Sequence, residues 1–338
     1  PGALGGGVPY ITTDGFIVKP LEFPGGDIGS LAVNGTVNDL AVAGATPHYL
    51  SLNAFIEEGL EIATLERIVR SLGAAARRAG VQVVAGDTKV LPRGEGGGLY
   101  LATTGVGLQP LGVDLGMHRV QPGDAVVVSG PIGDHGIAVL LAREDFEIRG
   151  DVRSDCGHVI DLARLAMGFA GLRFMRDPTR AGLAGVAWEI SRHAAVTVRL
   201  RQADVPVRDS VQMVCEMLGY DPYYLACEGR VVAVVAAEQA DALVAAWREL
   251  PEGEGAVPVI LVRAGEHCRK ARAPRSSAPS KPGRHASCWK LRSPASAFST
   301  TSRKTRCRGF VDPGSGPGQA SPYRHPGIRA ANIRDPVF

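Results

Sequence analysis

"DIGSLAVNGTVNDLAVAGA", residues 27–45, decides how the first half of the chain is read. Its apolar residues recur at helical spacing, and Asp27 stands where an N-cap belongs. One residue does not suit that helix. Asp39 is a carboxylate in text otherwise small and apolar, and a charge in such a setting needs a partner. Outward from this helix, "YITTDGFIV" (10–18) alternates and is β-branched, as a strand does. "PHYLSLNAFI" (47–56) is a second strand. "ATLERIVRSLGAAARRAG" (63–80) is an amphipathic helix with Leu65, Ile68, Val69 and Leu72 on one face and Gly80 at its end. "VQVVAGDT" (81–88) and "GLYLATTGVGLQ" (98–109) are further strands. The order β-α-β-α-β-β predicts an α/β fold built in α+β layers.

The text restarts near residue 120. "VQPGDAVVVSGPIGDHGIAVLLA" (120–142) reads as a turn, a buried strand, a Gly-rich turn and a helix. Helices are expected around 155–170, 181–194 and 207–218. "VTVRL" (196–200) and "RVVAVVA" (230–236) read as strands, and "AEQADALVAAWREL" (237–250) as a helix. The spacing predicts two domains, 1–112 and 118–258, followed by a basic tail over 263–338.

Charge separates that tail from the rest. Residues 1–262 hold 21 Lys+Arg against 31 Asp+Glu, whereas residues 263–338 hold 16 against 3, so the overall +3 is a near-cancellation of two unlike segments. The character changes from about 255, where no helical or strand period persists, and disorder is expected. A GC-rich message read off its frame yields such Arg, Pro, Ala, Ser and Gly text. A nucleic-acid arm is the alternative, but aromatics are few and no Arg-Gly or Arg-Ser unit repeats, which argues against it. No apolar run reaches the ~18 residues of a membrane helix. The start, "PGALGGGVPY", has neither the charged nor the apolar region of a signal peptide. The six cysteines, Cys156, Cys215, Cys227, Cys268, Cys288 and Cys307, form no CxxC pair and have no zinc-ligand spacing, so free thiols in a cytoplasmic protein are expected.

Three acids of the first half stand apart. Asp14 ends "TTD", Asp39 ends "ND" after Asn38, and Asp87 opens "DT" with Thr88 at the end of an apolar run. Strand-end Asp14 and Asp87 can share one edge of a sheet. Oxygen-only ligands of this kind suit Mg²⁺, which usually bridges to phosphates. Taken singly, each acid also has a plain reading as a cap or a solvated charge. Lys89, beside the Gly-Asp-Thr turn, either holds a phosphate oxygen as a point charge or snorkels at the surface. "FPGGDIG" (23–29), with Gly25 and Gly26, opens a helix whose free N–H groups suit an anion, although Gly-Lys-Ser/Thr is missing and the Walker pattern with it. In the second half, His135 in "GPIGDHGIAVL" (130–140) is an acid–base group or orders a turn. Asp177 and Arg180 in "MRDPTRAGLAG" (175–185) pair with each other or meet a ligand. Glu228 in "YLACEGR" (224–230) acts as a base or holds Arg230.

Together, "TTDGFIVKPLEFPGGDIGSLAVNGTVNDLAVAGA", "GDTKV", "GPIGDHGIAVL", "MRDPTRAGLA", "CEMLGYDP" and "ACEGR" closely resemble the hydrogenase expression/formation family HypE, of the aminoimidazole ribonucleotide synthetase and selenophosphate synthetase superfamily. The resemblance runs from about residue 10 to 250. It implies a two-domain synthetase-like fold: a homodimer whose first domains build a shared β-barrel, each carrying a C-terminal α/β sandwich. It implies ATP and Mg²⁺ in a groove at the domain and subunit junction. The metal would be held by Asp14, Asp39 and Asp87, and the cofactor would lie near Gly25, Gly26, Asn38, Thr88 and Asp177. Lys89 and Glu228 would be catalytic, the first neutralising developing charge and the second taking an amide proton. The implied reaction turns a carbamoyl group, loaded on a C-terminal cysteine by the carbamoyltransferase HypF, into a thiocyanate at the expense of ATP. The cyanide then passes to a HypC–HypD scaffold for the [NiFe]-hydrogenase iron.

The sequence departs from the family at both ends. The opening Gly-rich segment and the acid-bearing strand after it are absent, and the chain closes on "RDPVF" where the family closes on Pro-Arg-Ile-Cys. The usual Asn-Glu-Gly reads "CEG", with Cys227, and the usual Arg-Gly-Gly reads "RAG", with Ala181. Two other readings stay open. A selenium- or purine-type synthetase shares the motifs, though the selenium type wants a reactive Cys near its start and the first here is Cys156. A dimeric scaffold without turnover shares them too.

Overall fold

The structure is a computed structural model and describes residues 6–144 and 151–264. The expected tail lies beyond these residues from 265 on, and with it Cys268, Cys288 and Cys307.

Residues 27–45 form the helix that organises the rest. Helix α1 (Ile28–Val42) begins at Asp27, whose carboxylate accepts from the N–H groups of Gly29 and Ser30 while the Ser30 hydroxyl accepts from the Asp27 N–H. This capping box supplies partners to N–H groups that a helix start leaves free. Every residue of α1 except Asp39 is buried. A helix buried on all sides carries no amphipathic stripe. Its glycines let neighbours close in: a Cβ at Gly29 would lie 2.6 Å from the Ile68 carbonyl oxygen, and one at Gly35 would lie 2.9 Å from the Phe16 ring.

One side of α1 meets a four-stranded sheet of order β1-β6-β4-β5. Its strands are β1 (Val8–Phe16), β4 (Thr46–Glu57), β5 (Gln82–Leu91) and β6 (Leu99–Gln109). A two-residue ladder, β2 (Glu22–Phe23) with β3 (Gly26–Asp27), leads into α1. β1 and β4 run antiparallel to β6. β5 runs parallel to β4 because helix α2 (Ile62–Arg78) carries the chain back between them. α2 buries Ile68, Leu72, Ala75 and Ala76, whereas Val69, expected on the same face, is 56% exposed. α1 offers α2 a narrow seam, and a residue one step from Ile68 is turned about 100° out of it.

The other side of α1 meets a second sheet, antiparallel throughout, of order β8-β10-β7-β11-β9. These are β7 (Ala125–Val128), β8 (Leu172–Arg176), β9 (Val196–Leu200), β10 (Val232–Val235) and β11 (Val257–Ala264). Ala125, Val127, Ala233 and Val235 face a cluster that holds Ala41 and Val42 of α1, with Leu162, Leu243 and Trp247 from helices α4 (Ile160–Ala166) and α7 (Ala237–Arg248). Val126, Val128, Val232 and Val234 face the opposite way, onto Leu183, Val186 and Ile190 of helix α5 (Gly182–His193). Helices α3 (Asp134–Arg143) and α6 (Asp209–Leu218) pack on each other through Ile137, Val211 and Val214. Coverage on both faces explains the uninterrupted "AVVV" and "VAVV" runs.

The layered α/β class expected from the sequence is what forms. The change of character placed at 255 is early, because Val257–Ala264 is a strand lying between β7 and β9. No helix among the described residues is long and apolar enough to cross a membrane. Trp247 is fully buried and its indole N–H donates to the Leu162 carbonyl at 2.9 Å. Trp247→Ala is therefore expected to cost about 3–5 kcal/mol, read as a shift in the urea unfolding midpoint at unchanged slope.

Candidate active site

Four acids converge beside α1. Asp14 comes from β1, Asp39 from the one half-buried position of α1, Asp177 from the turn after β8, and Glu228 from the segment between α6 and β10. Each lies within reach of the others' charge. Asp39 is steadied by the Thr12 hydroxyl, which donates to its Oδ2 at 2.8 Å, two residues before Asp14 on the same strand face. Asp14 accepts from the Gly15 N–H at 2.7 Å.

Burial and mutual repulsion act in one direction here. Desolvation, reinforced by the Asp39 charge, raises the Asp14 carboxyl, although the Gly15 hydrogen bond opposes it. Asp177 is pushed up to about 6, by burial first and then by the charge of Asp39. Glu228 is raised well above the carboxylate range, by burial first and then by Asp155, Asp177, Asp14 and Asp39. Arg176 and Arg180 offer partial compensation to Asp177 and Asp14 respectively. Such a cluster favours a bound proton or a bound cation.

Several expected site residues lie elsewhere or act differently. Asp87 and Lys89 form an ion pair of 2.6 Å on β5, with side chains 59% and 64% exposed. The Thr88 N–H donates to the Asp87 carboxylate, and these contacts lower the Asp87 pKa, the Lys89 bond first. In register, Asp14 faces Thr103, Thr103 faces Leu52, and Asn53 faces Asp87. Three strand spacings separate Asp14 from Asp87, about 14 Å. The trio Asp14, Asp39 and Asp87 is thus not gathered within one chain, because β5 and β1 are opposite edges of the sheet. Among the described residues no three His, Cys, Asp or Glu side chains are grouped to hold a metal ion. Asp14 and Asp39 remain within reach of each other's charge, and two carboxylates with phosphate oxygens and water are a usual magnesium set.

Gly25 and Gly26 do not frame an open anion nest. A Cβ on Gly25 would lie 2.6 Å from the Ser154 carbonyl oxygen, and the Pro24 carbonyl accepts from the Ser154 N–H at 2.8 Å. The turn is packed on the 152–157 loop, and the helix start behind it is filled by Asp27. Asn38 likewise serves the fold. Its amide donates to the carbonyls of Gly157 and Glu228 at 3.0 and 3.3 Å, and its oxygen accepts from the Val159 N–H at 2.8 Å. His135 orders a turn: its Nδ1 lies 2.9 Å from the Ser154 hydroxyl, its ring stands edge-on to Phe23, and burial lowers it to about 4.

Sequence reasoning overlooked Thr12, Asp155 and Cys156. For Thr12 the signal was present, since it shares Asp14's strand face. Asp155 and Cys156 sit in "RSDCGH", a polar loop without period. Asp155 accepts from the Glu228 N–H, and the Asn34 amide lies 3.5 Å from the Cys156 sulfur. Burial raises that thiol to about 12, so it is inert as a nucleophile at neutral pH.

The two sheets and the acids between them define an AIR synthase related protein. Residues 5–109 match the N-terminal domain of that family and residues 121–257 its C-terminal domain. The chain is 49% identical over 264 residues to the carbamoyl dehydratase HypE of Rhizobium leguminosarum bv. viciae, covering 78% of this chain and 75% of that protein. Among solved structures, the hydrogenase maturation protein HypE in complex with ATP aligns with TM-score 0.75 and 41% identity, over 78% of this chain and 82% of the other. A HypE–HypF complex aligns with TM-score 0.74 and 40% identity, over 76% and 84%. The chain belongs to the HypE family.

Asp177 yields a pH prediction. Its folded pKa of about 6 lies above the ordinary 3.8. Its favourable contribution is therefore complete below pH 3.8 and disappears as pH rises through 6. In EDTA, Asp177→Asn is expected to be more stable than the parent at pH 8, by at most about 3 kcal/mol. The two should converge near pH 4 in urea unfolding. A constant difference from pH 4 to 8 would show that Asp177 does not titrate in this range.

Proposed function

We propose that this chain is an ATP-dependent carbamoyl dehydratase of hydrogenase maturation, working in the cytoplasm as a homodimer. The observation that carries the reading is the convergence of Asp14, Asp39, Asp177 and Glu228 against α1. Its relatives bear that activity in their names, and one of them is known with ATP bound. HypF is the proposed donor of the carbamoyl group, as a HypE relative forms a complex with it. A HypC–HypD scaffold is the proposed recipient.

The dimer reading rests on the first sheet. Both of its edges are unpaired among the described residues, and they expose Ile11 (70%), Val83, Val84 and Val90 (70%). Above β4 and β5, an open concavity of about 680 Å³ is lined by Leu52, Ala54 and the run from Val83 to Thr88. A second copy joined at these edges would close a barrel and carry its own Asp87, Thr88 and Lys89 toward the first copy's acids. The two domains, 1–112 and 118–258, would then meet at the same groove.

The substrate is a carbamoylated thiol, R–S–C(=O)–NH2. Its oxygen leaves poorly until it carries a phosphoryl group. ATP supplies that group, and the C–O bond then breaks with phosphate as the leaving group. The two N–H protons depart and the nitrogen lone pairs complete the C≡N bond, so the products are thiocyanate, ADP and phosphate. Mg²⁺, held by Asp14 and Asp39, would neutralise the phosphates during transfer. Glu228 would take an amide proton, and the burial that raises its pKa makes its carboxylate a stronger base. Lys89 would offset the charge growing on the transferred group, and Asp177 and Arg180 would border the nucleotide.

Asp39→Asn and Glu228→Gln are each expected to lower ATP-dependent phosphate release at least about 100-fold with little change in Tm. Unchanged turnover would remove the assigned role. Mixing inactive Lys89→Ala with inactive Glu228→Gln should restore turnover, because a mixed dimer regains one intact site. No recovery after subunit exchange would place Lys89 and Glu228 in the same chain's site.

A further inference from the structure

Behind Glu228 lies a buried ionic group that the reaction itself does not use. The Asp155 side chain is 1% exposed, Arg230 11% and Asp134 2%. Arg230 places Nε 3.5 Å from Asp155 Oδ2 and Nη2 3.6 Å from Asp134 Oδ2. It also donates from Nε to the Pro131 carbonyl at 2.9 Å and from Nη1 to the Glu252 carbonyl at 3.2 Å. From the surface, Arg208, an exposed side chain, adds a 3.0 Å bond to Asp134 Oδ2. Buried ion pairs add little stability over apolar packing of the same shape, so their placement asks for another reason.

The backbone of Glu228 supplies that reason. Asp155 Oδ1 accepts from the Glu228 N–H at 3.1 Å. On the other side, the Glu228 carbonyl accepts from the Gly157 N–H at 3.3 Å and from the Asn38 amide at 3.3 Å. Next in chain, Gly229 lies so close to Asp155 that a Cβ would fall 1.9 Å from its carbonyl oxygen. Both peptide groups of Glu228 are thus held, one by the buried Asp155 side chain, whose other oxygen lies 3.5 Å from the Arg230 Nε.

We propose that Asp155 is a positioning residue that holds the Glu228 peptide N–H and so aims the Glu228 side chain into the acid cluster. The inference rests on the dehydratase reading for its catalytic consequence, and on geometry alone for the clamp. Asp155 lies in the second half's 151–159 loop, whereas Asn38 lies on α1, so the clamp ties Glu228 to both halves of the protein. A side chain held from one side only would swing with its segment, and a misplacement near 1 Å is sufficient to slow a reaction about 100-fold.

The test compares Asp155→Ala and the bulkier Asp155→Val, which lack the acceptor, with Asp155→Asn, which keeps it. Full-length protein is assayed for ATP-dependent phosphate release and for amide hydrogen exchange over residues 225–231. Asp155→Ala and Asp155→Val are expected to lower kcat about 100-fold, with KM for ATP within about threefold, and to speed exchange in that peptide. Asp155→Asn is expected to restore most of the loss in kcat and to keep the exchange slow. Parent-like kcat and exchange in Asp155→Ala would overturn the proposal. So would an Asp155→Asn variant as slow as Asp155→Ala, which would show that charge and not the hydrogen bond matters. Should neither truncation fold, the Glu228 amide of the parent decides: exchange as slow as that of the core strand β10 upholds the clamp, and exchange as fast as that of an open loop refutes it. Were the parent protein to release no phosphate, the dehydratase reading would fall, while exchange would still decide whether Asp155 holds Glu228.

Discussion

The structure depends on α1 being buried from every direction. A helix of 15 residues with one partly exposed position has two sheets to satisfy, and it does so with small residues where backbones approach and aliphatic ones where they part. Val33 and Val37 belong to the core of the first sheet, and Ala41 and Val42 to that of the second. The position left open, Asp39, is where the chemistry gathers, so the same burial that fixes the fold fixes the spacing of the acids.

Those acids work against the fold. Four carboxyls within mutual reach, three of them raised in pKa, make a region that favours protonation or a cation over its own ionised form. Sites commonly retain such locally unfavourable groups because a ligand relieves them. The helix start at Asp27 shows the opposite arrangement. There, a carboxylate and its N–H partners are matched within the chain, and no external anion is called for.

Much of the fold was legible because its elements follow simple periods. α2 announced itself through Ile68 and Leu72, β7 and β10 through unbroken valine, and α1 through Asp27 followed by helical spacing. Val69 misled because periodicity gives a face but not its width. β11 was missed because the turn-rich "PEGEG" runs straight into a strand that pairs on both sides. In the site, Asp14, Asp39, Asp177 and Glu228 were identified by chemistry and by family motif. Asp87 and Lys89 were identified the same way, but that they lie on the opposite edge of the sheet from Asp14 within one chain was not legible, since strand order is not written in any single segment. Asn38 and the Gly25–Gly26 turn show a second limit: a polar side chain or a glycine near a site looks alike whether it touches a ligand or braces the backbone behind it.

The first sheet leaves branched aliphatic side chains in water along both rims. Unpaired rims of that kind join to whatever extended chain they meet. Until such rims are covered, a newly made chain is exposed to indiscriminate clumping. Crowding of freshly released copies raises that risk, so a slower tempo of synthesis is expected to favour recovery of folded chain.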